Sequence, residues 1–98
     1  MTIVSFRNQA TEDINDGRRT KASLRLLAAN LHDKARVKLA RLHAAETLDD
    51  VAGLPGNRFE KLVGDRVGQH SIRLNDQYRI CFGWSSRGAS AVEIVDYH

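Results

Sequence analysis

Single residues of cysteine, proline, methionine and tryptophan, and only 6% aromatic side chains, mark what this 98-residue chain has little of. One cysteine excludes an internal disulfide and a zinc site built from several thiolates, and Cys81, inside an alternating apolar stretch, is expected to act as a small buried apolar side chain. The few aromatics argue against a bare RNA-binding module that stacks bases on exposed rings, since Tyr78 and Trp84 read as core. No apolar run approaches the length that crosses a bilayer, and no charged-then-apolar leader is visible, so a cytoplasmic location away from membranes is expected. There is no internal repeat, low-complexity tract or linker. The expectation is one domain over 1–98.

What is present is charge and pattern. Fifteen Lys and Arg against twelve Asp and Glu leave a net charge of +3. Such a balance suits phosphate backbones or an acidic protein partner, and it also serves solubility. At the N-terminal end, residues 2–6 are β-branched and aromatic and predict a strand. Residues 11–16 predict a short helix stopped by Gly17. The basic cluster Arg18-Arg19-Thr20-Lys21 either lies on a loop or opens a helix through Leu24, Leu27 and Ala28. Asn30 followed by Asp33 resembles an N-cap with an acidic third residue. After it, Leu31, Ala35, Leu39 and Leu42 make one apolar stripe, with Lys34, Lys38 and Arg41 as a basic stripe elsewhere on the helix. Thr47 with Asp50 predicts a capping box and a short helix that Gly53-Leu54-Pro55-Gly56 ends.

From Asn57 onward the period becomes two. Residues 58–62, 69–74, 78–84 and 89–95 predict strands separated by turn signals at Gly64-Asp65, Asn75-Asp76 and Ser86-Arg87-Gly88. The expected fold is α+β: a five-stranded, mainly antiparallel sheet with two or three helices from the N-terminal half packed on one face. Arg58, Arg66, Arg73 and Arg79 lie in or beside these strands. Several arginines on one sheet face form a cationic surface whose guanidinium forks match phosphate oxygens, unless Asp65, Asp76 or Glu93 pairs with them across strands. The last predicted strand carries Asp96-Tyr97-His98 at its tip, a carboxylate, a phenol and an imidazole delivered together.

The stretches Gly64-Asp65-Arg66, Gln69-His70-Ser71-Ile72-Arg73-Leu74-Asn75-Asp76-Gln77-Tyr78-Arg79-Ile80-Cys81-Phe82 and Val92-Glu93-Ile94-Val95-Asp96-Tyr97-His98 resemble the HigB branch of the RelE/ParE toxin superfamily. Val4-Ser5-Phe6-Arg7, Ala45, Thr47-Leu48-Asp49-Asp50 and Leu54-Pro55-Gly56-Asn57-Arg58 fit as well, and the match is weakest between Ala10 and Ala29. The resemblance implies a RelE-like fold and the toxin of a bacterial type II toxin-antitoxin pair. It implies an endoribonuclease that cuts mRNA in the A site of the 70S ribosome without metal or other cofactor, by attack of a ribose 2′-hydroxyl on the adjacent phosphate.

That chemistry needs a base, an acid and cations around the phosphorane. By position, Tyr97 and His98 take the proton-transfer roles, Asp96 orients or tunes them, and Arg73, Arg79 and Arg66 are candidates for phosphate stabilisation. Lys61 and Arg58 join Arg66 as candidate RNA contacts. One departure matters: some relatives carry a His and a Lys where this chain has Glu60 and Val63, which removes one imidazole and one cation and leaves Glu60 as an alternative base. The implied partner is a HigA-like helix-turn-helix antitoxin, through which alone promoter DNA is reached, and the Lys34, Lys38 and Arg41 stripe offers it a docking surface. The rival from another class is a ParE-like, non-enzymatic inhibitor of DNA gyrase, which has no need of the Asp96-Tyr97-His98 end or the sheet arginines.

Overall fold

The computed structural model describes residues 2–53 and 56–96. Along them run β1 (Thr2–Ile3), α1 (Gln9–Asn15), α2 (Lys21–Leu26), α3 (His32–Ala44), α4 (Leu48–Ala52), β2 (Glu60–Lys61), β3 (Gln69–Arg73), β4 (Tyr78–Ser85) and β5 (Gly88–Asp96). Two 3₁₀ turns, Ala29–Leu31 and Gly64–Arg66, complete the order. The class is α+β as expected, with four helices among the described residues rather than two or three. The antiparallel sheet has four strands, β2 to β5, in the spatial order β5-β4-β3-β2. The expected N-terminal strand over 2–6 shrinks to the two-residue β1, which lies parallel to the outer side of β5, and to an isolated bridge from Phe6 to Val92.

Local chemistry explains most of the helix ends. Asn8 caps α1 by accepting from the Thr11 N–H, and Gly17 follows the helix with φ of 78°, a left-handed value that costs glycine little. Thr20 with Ser23, and Thr47 with Asp50, form reciprocal capping boxes at the starts of α2 and α4. The basic cluster therefore opens a helix, and Arg18 turns back to the buried Asp13 at 3.0 Å. Hydrogen bonds from Gln9, Thr20 and Arg18 hold the Asp13 carboxyl below the usual carboxylate range. One carboxylate thus ties the end of α1 to the start of α2.

The expected cap at Asn30 is not formed. Ala29–Leu31 is a 3₁₀ turn, α3 begins only at His32, and its N-cap position, Leu31, makes no side-chain bond. The basic stripe also needs correction. Lys34 and Arg41 are exposed, but Lys38 is half-buried and donates to Asn57 Oδ1 at 2.6 Å. Burial, helped by the charges of Arg41, Lys34 and Arg73, lowers the Lys38 pKa. Asn57 is itself buried: its amide donates to the Val51 carbonyl and its own carbonyl accepts the Arg73 N–H. This knot joins α3, α4 and β3, so Lys38 serves the fold and not the surface.

The core lies between the helices and one face of the sheet. Ile14, Ala35, Leu39, Leu42 and Val51 from the helices meet Ile72, Ile80, Phe82, Val92 and Ile94 from the strands. Strand alternation assigns Ile72, Ile80 and Ile94 to one row, opposite one another in register. β5 keeps its apolar side chains on that row only because it contains a bulge. Cys81 pairs with Glu93 while Gly83 pairs with Ser90, so the single residue Phe82 on β4 faces both Ala91 and Val92 on β5. Ala91 takes the strained φ of 49° that the extra residue requires. The N-terminal segment holds the bulge: Ala91 N–H donates to Ser5 Oγ at 2.9 Å, Val92 N–H to the Ser5 carbonyl at 3.1 Å, and Arg7 N–H to the Val92 carbonyl at 3.0 Å.

Helix and sheet are also joined by one buried polar bond. Ile94 N–H donates to Thr11 Oγ1 at 3.2 Å, with Thr11 fully buried. Replacing Thr11 by Val keeps the shape and orphans that amide, which costs about 1–3 kcal/mol. Thermal unfolding of Thr11→Val should show a fall in Tm of about 4–8 °C per kcal/mol lost for a domain of this size. An unchanged Tm would show that the bond is not a structural tie.

Candidate active site

The face of the sheet turned away from the core row is polar. In register across the strands it carries Glu60 opposite Ser71, Arg73 opposite Arg79, and Cys81 opposite Glu93. Arg66 reaches it from the 3₁₀ turn between β2 and β3, and Arg7 from the segment that runs beside β5. Three of the four strand-associated arginines that the sequence singles out, Arg66, Arg73 and Arg79, are gathered there together with Glu60.

Arg79 is the floor of this surface. Its side chain is only 9% exposed, and its charge is answered by Glu60 at 3.4 Å, while Nε donates to Ser71 Oγ at 2.8 Å and Nη2 to the Arg58 carbonyl at 2.5 Å. A buried guanidinium is tolerated only with this kind of pairing. Arg58 enters the site through its backbone: its φ of 44° is a left-handed value uncommon for a residue with a side chain, and it aims the carbonyl at Arg79. Arg73 faces Arg79 directly, a like-charge pair that would repel. Asp76, three residues on, takes the Arg73 guanidinium, and that bond holds the Asp76 carboxyl below the usual range. The alternative raised for the sheet arginines therefore holds in part: Asp76 pairs with Arg73 and Glu93 with Arg66.

Glu60 is a strand carboxylate open to solvent, 52% exposed on its side chain and beside Arg79. Cys81 is fully buried beneath the cluster, as expected from its place in the strand. Burial pushes its thiol pKa up, with Glu93 adding to the rise and Arg66 and Arg79 opposing it. Lys61 pairs in register with His70 on the core-side row, so β2 sends it away from Glu60. Asp96 sits opposite Tyr78 at the tip of β5 and accepts from Gln77 Nε2 at 3.0 Å. Tyr97 and His98 lie outside the described residues. Val63 is 83% exposed just before the Gly64–Arg66 turn. Sequence reasoning missed Arg7 and Ser71; Ser71, in every second position with Arg73, was legible from alternation, whereas Arg7 was not.

A family model described as a RelE-like toxin of the type II toxin-antitoxin system HigB matches residues 5–98. The chain belongs to the HigB-like toxin family. Toxin HigB-1 of Vibrio cholerae serotype O1 (strain ATCC 39315 / El Tor Inaba N16961) is 43% identical over 60 residues, 61% of this chain and 63% of that toxin. The match thus spans less than two thirds of the relative's length. A solved YoeB/ParE toxin from Agrobacterium tumefaciens superposes with a TM-score of 0.55 over 98% of this chain and 94% of its own, at 16% identity. That likeness concerns the fold alone. No helix among the described residues is long and apolar enough to cross a membrane.

The toxin also holds a histidine on the opposite side of the sheet. His70 is stacked on Phe59, with ring centroids 5.4 Å apart, and tilted against Phe82 at 5.8 Å, and its Nδ1 is buried with no hydrogen-bond partner. Burial first, and the Lys61 charge second, hold its pKa below the ordinary 6.5. A base whose folded pKa is depressed binds fewer protons folded than unfolded, so its stabilising contribution is whole above pH 6.5 and is lost as the pH falls below that value. Denaturant unfolding should show stability dropping between pH 7.5 and 5.5. In His70→Gln that drop should shrink; an equal drop in both proteins would assign the acid sensitivity to other groups.

Proposed function

We propose that this toxin is a metal-independent endoribonuclease that cuts mRNA in the ribosomal A site and is neutralised by a HigA-like helix-turn-helix antitoxin. The observation that carries this reading is the alignment of the strand arginines Arg73 and Arg79 with a solvent-reachable carboxylate, Glu60, on a single sheet face. A gyrase inhibitor needs no such constellation. Fixed cations on rigid strands suit a developing phosphorane, because their orientation is settled before the reaction begins.

In the proposed reaction the ribose 2′-hydroxyl loses its proton to a base and its oxygen bonds to the adjacent phosphorus. The bond from phosphorus to the 5′-oxygen breaks, and an acid protonates the leaving oxygen. The products are a 2′,3′-cyclic phosphate and a 5′-hydroxyl. Glu60, Tyr97 and His98 are the proton-transfer groups; Asp96, in register with Tyr78 on the row opposite to that of Glu60, can orient only Tyr97 and His98, its neighbours in the chain. Imidazole titrates near neutral pH, which favours His98 for proton transfer in the cell. Arg73, the more exposed of the facing pair, meets the phosphate from beside Asp76, and Arg79 holds Glu60 while contributing charge from below. Arg58 at the margin adds attraction for the RNA backbone, whereas Lys61 faces the other side of the sheet.

Primer extension on cellular mRNA after brief induction should reveal new 5′ ends within translated codons, and co-expression of the antitoxin should remove them. Arg73→Ala should lower turnover by on the order of 10²-fold, the scale of losing one oriented donor, with Arg73→Lys restoring only part of it. Deletion of His98 should abolish growth inhibition while the domain stays folded. Intact mRNA in cells that nevertheless stop growing would overturn the nuclease reading.

A further inference from the structure

The carboxylate of Glu93 has no place in the proton transfers, yet it is among the most deliberately housed groups on the polar face. Its side chain is 10% exposed, 2.7 Å from Arg66 Nη1 and 3.7 Å from Arg7 Nε. Three separate pieces of chain meet at it. β5 brings Glu93 to this face only because of the bulge, since regular alternation from Ser90 would turn residue 93 into the core. The N-terminal segment brings Arg7, whose N–H is tied to the Val92 carbonyl next to Glu93. The turn Gly64–Arg66 brings Arg66, which also bonds Gln69 Oε1 at 3.1 Å.

Two guanidiniums meet at this one carboxylate. Both remain reachable from solvent, with side chains 36% exposed for Arg66 and 56% for Arg7. A long arginine side chain on a turn would otherwise lose rotamer freedom on binding a ligand. Pinning it to a carboxylate on a central strand removes part of that cost beforehand. Glu93 lies across from Cys81, two residues along β4 from Arg79 and so about 7 Å further along the strand. One nucleotide step of an extended RNA strand covers a similar distance.

We propose that Glu93 is a positioning residue that holds Arg66 and Arg7 together as a clamp for the backbone phosphate flanking the one that is cleaved. The inference rests on the endoribonuclease reading and adds to it a second phosphate subsite. It makes a prediction opposite in sign to simple electrostatics. Glu93→Gln raises the net charge from +3 to +4, which by counterion release alone tightens RNA binding; loss of the clamp weakens it.

The test is fluorescence anisotropy with a 2′-O-methyl oligoribonucleotide, which cannot be cleaved, together with steady-state cleavage of translated mRNA. Glu93→Gln and Arg66→Ala should each weaken binding roughly 5- to 10-fold, the double variant should be no worse than Arg66→Ala, and Glu93→Asp should recover part of the loss. In Arg66→Ala the dependence of log K on log salt should flatten by about 0.7, one phosphate contact on a single strand. In cleavage the loss should fall on KM with kcat nearly kept; a merely structural role would instead lower kcat through a smaller folded fraction. Binding by Glu93→Gln as tight as wild type or tighter overturns the clamp while leaving the nuclease reading intact. If Glu93→Gln does not fold, Arg66→Ala and Arg7→Ala decide, and unaltered binding by both overturns it. A wild-type chain that neither binds nor cleaves RNA overturns the nuclease reading and the clamp with it.

Discussion

The bulge in β5 at Ala91 is the constraint on which the rest of the molecule depends. A strand that passes from core contact at Ala89 to core contact at Val92 and Ile94 cannot do so with regular alternation, because the apolar positions change parity between them. One extra residue restores the phase at the cost of a left-handed Ala91. The same shift that seats Val92 and Ile94 against the helices places Glu93 on the polar face. Core and site are therefore set by a single irregularity, and the N-terminal segment, through Ser5 and Arg7, is what secures it.

The polar face is organised by neutralisation in pairs. Arg79 meets Glu60, Arg73 meets Asp76, and Arg66 with Arg7 meets Glu93. Without these carboxylates the facing Arg73 and Arg79 would oppose sheet formation, and a guanidinium as deeply placed as Arg79 would be expensive to desolvate. At Glu93 two arginines share one acid. The arrangement also fixes the cations on strands and a short turn, where they need little reorganisation to meet a phosphate.

Glu60 satisfies the buried Arg79 and remains half exposed. Val63, by contrast, points an apolar side chain outward beside the Arg66 turn and contributes no charge.

Much of this was legible in the sequence because it depends on neighbours in the chain. Period-two alternation in 69–95 located the antiparallel strands, the Thr47 and Asp50 spacing located a capping box, and strand arginines flagged the polar face, all consequences of local geometry. Other features are set by distant partners. Asn30 lost its expected cap to a 3₁₀ turn, Lys38 left its basic stripe to bind Asn57 nineteen residues away, and the N-terminal strand shortened to what the bulged β5 could pair. Arg7 joined the site across 86 residues, by way of a bulge whose need appears only when Val92 and Ile94 are seen to share one core with Ala89. The sequence by itself determined the elements, the antiparallel meander and the residue types available for chemistry. The tertiary structure decided which charges meet, because pairing across strands depends on register, and one inserted residue in β5 changes it.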